Sequence, residues 1–200
     1  MVDIKVFYYI KDFICQISKK WDGMAQNASS AIDFAHDKIN LEPSDEQKWF
    51  NTLAHNIEHY NRILRFSNSS TSKEKIDNIN EIANHIRDNI IQSDIILYRQ
   101  ISKTAFQNMK KEAQSFSNVD LYDKGFICTT LVKGIENHYG FDYNFQNSYI
   151  KLRIYVPAGT GCIYMGNVSN EEGNYEVIIP PRTKFKIISI DHYYINCKII

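Results

Sequence analysis

The cysteines of this 200-residue chain form no CxxC pair. Cys15, Cys128, Cys162 and Cys197 are scattered along its whole length, a spacing that argues against a zinc ribbon or a thioredoxin-type motif and does not demand disulfides. An excess of charge is missing too. Lys plus Arg and Asp plus Glu stand at 23 each, so electrostatics alone directs the chain to neither nucleic acid nor a membrane surface. Nor is there an apolar run fit for a signal core or a membrane span, because Asp3, Lys5, Lys11 and Asp12 interrupt the N-terminal segment. No internal repeat and no long linker is visible. Aromatics, by contrast, are plentiful, with 13 Tyr and 11 Phe, and the weight of Asn, Ile and Lys fits AT-rich coding as in a bacterium or phage. The length suits one domain with enough chain to bury a real core.

Hydrophobic spacing divides the chain in two. Phe7, Ile10, Ile14, Ile17 and Trp21 lie on one face of a helix over 4–21, and a short helix follows over 27–38. Ser44 and Gln47 make a capping box, after which Trp49, Leu53, Ile57, Tyr60 and Leu64 keep helical spacing to about Arg65. Ile76, Ile79, Ala83, Ile86 and Ile90 mark a fourth helix. From Asp94 the pattern changes. Strands are expected over 95–99, 125–132, 149–156, 162–165, 175–179, 184–190 and 193–199, with one connecting helix over 103–114. The fold class is α+β: a helical part (1–93) packed on a β-rich core (94–200), together one domain over 1–200.

Three polar sites interrupt the apolar strands of the second half. Arg99 closes Ile95-Ile96-Leu97-Tyr98, where a guanidinium either meets solvent or offers a fork for a diphosphate. Cys128-Thr129-Thr130 lies within a strand, and Thr is a good strand former in its own right. Asn174-Tyr175-Glu176 enters the apolar strand Val177-Ile178-Ile179 from the acidic loop Ser169–Asn174. A carboxylate at a strand edge beside such a loop suits chemistry, and a solvated loop acid is the competing reading. His55 and His59 are an i, i+4 pair without the HExxH order or a third ligand, so no metal site is expected. Cys128 as a nucleophile lacks an identifiable base. Tyr139, Phe141, Tyr143 and Phe145 lack the interleaved basic residues of a base-stacking platform, so no nucleic-acid partner is expected.

In their order, these sites resemble the mono-ADP-ribosyltransferase toxins of the Arg/Ser-Thr-Ser/Glu type, including the small Rho-modifying exoenzymes and the enzymatic components of binary actin-modifying toxins. Tyr98-Arg99 is similar to the arginine motif, Phe126 to Thr130 to the aromatic-x-Ser-Thr-Ser strand, and Asn174-Tyr175-Glu176 to the Gln/Glu-x-Glu loop. Val156 to Gly161 with Tyr164 resembles the strand and turn between them. The resemblance implies an NAD-dependent toxin or effector that releases nicotinamide and transfers ADP-ribose to a side chain of a target protein. NAD is then the substrate, and no metal is needed. It further implies Glu176 on the nicotinamide-ribose hydroxyl, Arg99 on the phosphates, Asn61 and Arg65 as the helical pair that reaches NAD, and Phe145 as the aromatic near the nicotinamide. Cys128, Thr129 and Thr130 would support the NAD site, and Asn174 would face the acceptor.

Departures from the pattern are Cys128 and Thr130 for the two serines, Gln100 for Gly, Ser148 for a second Arg, a longer 133–148 loop, and Asn174 for Gln or Glu. An NAD glycohydrolase, or a non-catalytic NAD-binding module of the same fold, remains an alternative. The implied setting is a secreted or translocated bacterial protein, monomeric and without membrane insertion, acting in the target-cell cytosol. No signal peptide is read in this chain.

Overall fold

A computed structural model describes residues 16, 19–39, 48–66, 71–138, 149–166 and 174–200. Its helices are α1 (Ala31–Lys38), α2 (Lys48–Phe66), α3 (Lys73–Asp88) and α4 (Lys103–Ala113). Its strands are β1 (Ile95–Ser102), β2 (Leu121–Asp123), β3 (Ile127–Thr130), β4 (Tyr149–Val156), β5 (Ile163–Tyr164), β6 (Glu176–Ile179), β7 (Thr183–Ile190) and β8 (Ile195–Ile199). All eight strands join one sheet in the order β2-β7-β8-β4-β1-β3-β6-β5. Every pairing is antiparallel except β4 with β8. This is the expected α+β architecture, with helices before residue 94 and strands dominating after it.

Apolar stripes dock the helices. Leu53, Tyr60 and Ile63 of α2 and Ile79, Ile82, Ala83 and Ile86 of α3 are buried against Phe126, Ile163, Met165 and Ile178 of the sheet. A larger core holds Leu97, Ile127, Leu152, Ile154, Val177, Ile179 and Phe185, capped by Ala31 and Ala35 of α1 and by Phe106 and Met109 of α4. Serines start two of the helices: Ser72 Oγ accepts from the Lys75 N–H at 3.4 Å, and Ser102 Oγ from the Ala105 N–H at 3.1 Å. A third, smaller cluster brings Trp21 onto Ile96, Tyr98 and Tyr194. Beside it Arg153, buried on β4, is held by Asp22 (3.1 Å), Asp191 (2.9 Å) and Asn196 (3.0 Å).

Several boundaries differ from expectation for local reasons. Helix α1 starts at Ala31 rather than Asn27, because the Asn27 side chain accepts from the N–H groups of Ser29 and Ser30 and shapes a turn instead. Helix α3 stops at Asp88, where Asn89 takes a non-helical backbone and Ile90 bridges to Gly161. Strand β1 runs on to Ser102, pairing residue for residue with β4 from Ile95↔Val156 to Ser102↔Tyr149. Arg99 therefore lies inside a strand, with 14 % of its side chain exposed, and is not a solvated strand end. Strand β2 was not expected. The helix over 4–21 falls largely outside the described residues, apart from helical positions at 16 and 19–22. The capping box at Ser44 and Gln47, and the loops holding Phe145, Ser148 and Glu171–Gly173, lie outside them too.

Candidate active site

Strands β3 and β6 pair over four positions, with Cys128 opposite Ile178, Thr129 opposite Val177 and Thr130 opposite Glu176. Alternation along a strand sets adjacent side chains on opposite faces, so the three polar residues of β3 act differently. The Cys128 thiol hydrogen-bonds the Glu176 carboxylate. Burial pushes this thiol far above its ordinary range, and the charge of Glu176 and that hydrogen bond push the same way, against Arg99 and Arg65. At neutral pH it is a neutral donor rather than a nucleophile. Thr129 is buried and gives its hydroxyl to the Val177 carbonyl at 2.6 Å, stitching the two strands. Thr130, also buried, donates to the Asn174 carbonyl at 3.0 Å and accepts from the Val132 N–H at 3.2 Å.

The backbone on either side of Glu176 is fixed. Leu131 N–H donates to the Tyr175 carbonyl at 3.1 Å, and Met165 N–H to the Glu176 carbonyl at 2.9 Å. Tyr175 has φ of +48°, a left-handed conformation that costs an aromatic residue strain. Such strain persists where neighbours over-determine it. The Thr130 and Leu131 contacts do so here, and they aim Glu176 into the half-buried head of β6.

A second cluster forms where α2, β1 and β2 converge. Arg65 Nε and Nη2 donate to the two oxygens of Asp123 at 2.9 and 3.0 Å, and Arg99 Nη1 donates to Asp123 Oδ2 at 3.2 Å. Asn61 Nδ2 and Arg65 Nη2 both reach the Phe126 carbonyl, at 3.1 and 3.3 Å, just before β3 begins. Burial by itself would raise the Asp123 pKa. Arg99, then Arg65, with the Gly125 N–H, more than offset this and hold the carboxyl below its usual range. Arg65, Arg99 and Asp123 line a cavity of about 320 Å³ together with Asn108, Met109 and Tyr122. That volume is at the lower end of those that hold small-molecule ligands.

Of the residues expected from the sequence, Arg99, Arg65 and Asn61 thus meet at one node, and Cys128, Thr130, Asn174 and Glu176 at a second. Phe126, whose carbonyl anchors the helix pair, is followed directly by β3 and so joins the two. Phe145 is outside the described residues. Asp123 was missed. Its only mark in the sequence is its place two residues before Gly125, at the entry of the Cys-Thr-Thr strand, and that place gains meaning only once Arg65 and Arg99 converge on it. Among the described residues no group of three or more His, Cys, Asp or Glu gathers as for a metal ion.

Two arginines thus share one buried acid beside a cavity, and Phe126 leads from them into the strand that pairs with Glu176. A sequence model of the ADP-ribosyltransferase exoenzyme domain matches residues 26–198, and the chain belongs to that family. It is an NAD-dependent ADP-ribosyltransferase of the toxin type, with NAD as its substrate. Toxins of this family modify host proteins.

Solved structures agree on the fold. The Clostridium limosum C3 exoenzyme matches with a TM-score of 0.62 at 19% identity, over 88% of this chain and 95% of that one. C3stau2 from S. aureus, solved with NAD, matches with a TM-score of 0.58 at 17% identity, over 91% and 93%. BECa, an ADP-ribosylating toxin of a binary enterotoxin of C. perfringens solved with NADH, matches with a TM-score of 0.64 at 21% identity. The match covers 88% of this chain and 49% of BECa. A comparison with curated proteins returns no match.

Proposed function

We propose that the chain acts as one catalytic domain, in which 1–93 supplies Asn61 and Arg65 and 94–200 supplies Arg99, Cys128, Thr130, Asn174 and Glu176. NAD lies with its diphosphate on the unused N–H groups of Arg99 and Arg65. Its nicotinamide ribose faces the head of β6. The C–N glycosidic bond breaks as nicotinamide leaves with the bonding pair, and positive charge spreads over the ribose C1′ and ring oxygen. Glu176 holds a ribose hydroxyl and stabilises that charge, and the Cys128 thiol keeps the carboxylate oriented. An acceptor nucleophile then bonds to C1′ and loses its proton.

The observation that carries this reading is the Cys128–Glu176 hydrogen bond on paired strands, one strand away from the arginine node. The test is Glu176→Gln, which should lower nicotinamide release from NAD by roughly two to three orders of magnitude, the scale of losing a key electrostatic stabiliser. Its melting temperature should stay within about a degree, because Glu176 is half-buried at a strand end rather than in the core. Near-normal release by this variant would remove Glu176 from the mechanism.

The acceptor is a host protein side chain other than arginine, reached by a monomeric toxin in the target-cell cytosol. Asn174, two residues before Glu176, brings a carboxamide that donates and accepts but carries no negative charge. A guanidinium, with a pKa above about 12, needs a nearby anion before it can attack. Label transfer into a cell lysate, with the modified residue mapped by mass spectrometry, tests this. Efficient modification of agmatine by the unaltered protein would contradict it, and nicotinamide release without label transfer would favour water as acceptor.

A further inference from the structure

Asp123 ends β2 with only 4 % of its side chain exposed, and a carboxylate that deep requires compensation. Four donor contacts supply it: Arg65 Nε at 2.9 Å, Arg65 Nη2 at 3.0 Å, Arg99 Nη1 at 3.2 Å and the Gly125 N–H at 2.9 Å. Two guanidinium ions against one carboxylate leave this node with a net positive charge, and Lys111, Lys124 and Glu112 line the same cavity. The fork consumes one edge of Arg65, and Arg99 gives a single nitrogen. Arg65 Nη2 also serves the Phe126 carbonyl, so Arg65 Nη1 and the remaining N–H groups of Arg99 are left for the cavity they line.

Clearance for this arrangement comes from Gly125. A Cβ there would stand 2.4 Å from Asn61 Oδ1 and 2.8 and 2.9 Å from Nε and Cζ of Arg65. The turn Asp123-Lys124-Gly125 is therefore a socket shaped around one guanidinium, with the carboxylate at its base and the missing side chain as its opening.

We propose that Asp123 is the positioning residue of the NAD diphosphate site. It orients Arg65 and Arg99 before NAD arrives, and Gly125 keeps the socket open. The inference rests on the reading of those arginines as NAD-binding. Its rival is that the buried pair only fastens α2 to the sheet. A second opposing effect is repulsion between Asp123 and the diphosphate. Orientation prevails because the carboxylate is enclosed by two cations within 3.2 Å, so the field in the cavity stays positive, whereas two unrestrained arginines would have to be ordered at every binding event.

Calorimetric titration of the full chain with NAD, alongside thermal melting and steady-state nicotinamide release, tests it. Gly125→Ala is the main variant. The atoms its methyl strikes are tips of flexible side chains, so the fold persists while Arg65 is driven from its socket. Its Kd for NAD should rise about tenfold or more, while kcat at saturating NAD changes less than about threefold. Arg65→Lys keeps the charge and loses the fork, and should weaken NAD as much as Arg65→Gln. Asp123→Asn should weaken it further.

The proposal is overturned if Gly125→Ala and Arg65→Lys bind NAD like the unaltered protein, or if folded Asp123→Asn binds it more tightly. Should Asp123→Asn fail to fold, the other two variants decide. Failure of the underlying reading looks different: Arg65→Gln and Arg99→Gln would then themselves leave the NAD Kd unchanged.

Discussion

A thiol meets a carboxylate at the head of β6, and the difference between sulfur and oxygen is measurable there. An S–H is a weak donor, so the hydrogen bond from Cys128 orients Glu176 less firmly than a hydroxyl would. Cys128→Ser should therefore give nicotinamide release equal to the native enzyme or a few-fold higher. Because burial and Glu176 raise the thiol pKa, iodoacetamide at pH 7 should not inactivate the unaltered protein. A dead serine variant together with rapid inactivation by that reagent would reverse the assignment and make Cys128 a nucleophile. The residues of this node were reached in the sequence through the resemblance, carried by the order of Cys128-Thr129-Thr130 and Asn174-Tyr175-Glu176 along the chain. Asp123 was not, because its meaning depends on partners 58 and 24 residues away in the chain. No local pattern announces that two arginines from different elements will converge on one acid.

At the scale of elements, the β3–β6 ladder does more than pair backbones. Thr130 reaches across to the Asn174 carbonyl and also accepts from Val132 N–H, so one hydroxyl ties the end of β3 to the strained turn that carries Glu176. Thr130→Val keeps the shape and removes both bonds, which should cost about 1–3 kcal/mol. Nicotinamide release should fall well beyond what the lost stability explains if Glu176 acts as proposed, since the anchored turn precedes it. Ser72→Ala, which uncaps α3 at a cost of about 0.5–2 kcal/mol, is the matched control and should leave turnover near native. Equal activity losses in the two variants would refute the anchoring role. Long periodic elements such as α2, α3 and β4 were readable because apolar spacing repeats through them. Strand β2 has three residues, too few for a period to register, and it exists through its pairing with β7. The expected strand stopped at 99 for the same reason: Gln100, Ile101 and Ser102 become a strand only by lying along β4.

Across the whole molecule, the free cysteines act as a reserve of pH sensitivity. Cys162 and Cys197 are fully buried in the principal core with Leu97, Ile154 and Val177, and burial pushes each thiol from an ordinary 9.0 up to about 12. In the unfolded chain both would ionise near their ordinary value. The folded state, which binds the extra protons, therefore holds its full stability below about pH 9 and loses it as pH climbs towards 12. The loss is on the order of 1 kcal/mol per thiol per pH unit in that window. Because this core spans the sheet from β6 to β8 and includes α1 and α4, the loss should appear as one cooperative transition rather than local fraying. Melting temperature should be flat between pH 6 and about 8.5 and then fall. The variant Cys162→Ala/Cys197→Ala should start lower at pH 7, for the volume it gives up, yet decline less steeply above pH 9. An unchanged alkaline slope in that double variant would assign the sensitivity elsewhere, first to Cys128, whose thiol burial and Glu176 push up, then to Tyr155, whose hydroxyl the hydrogen bond to Asp94 and burial raise to about 12.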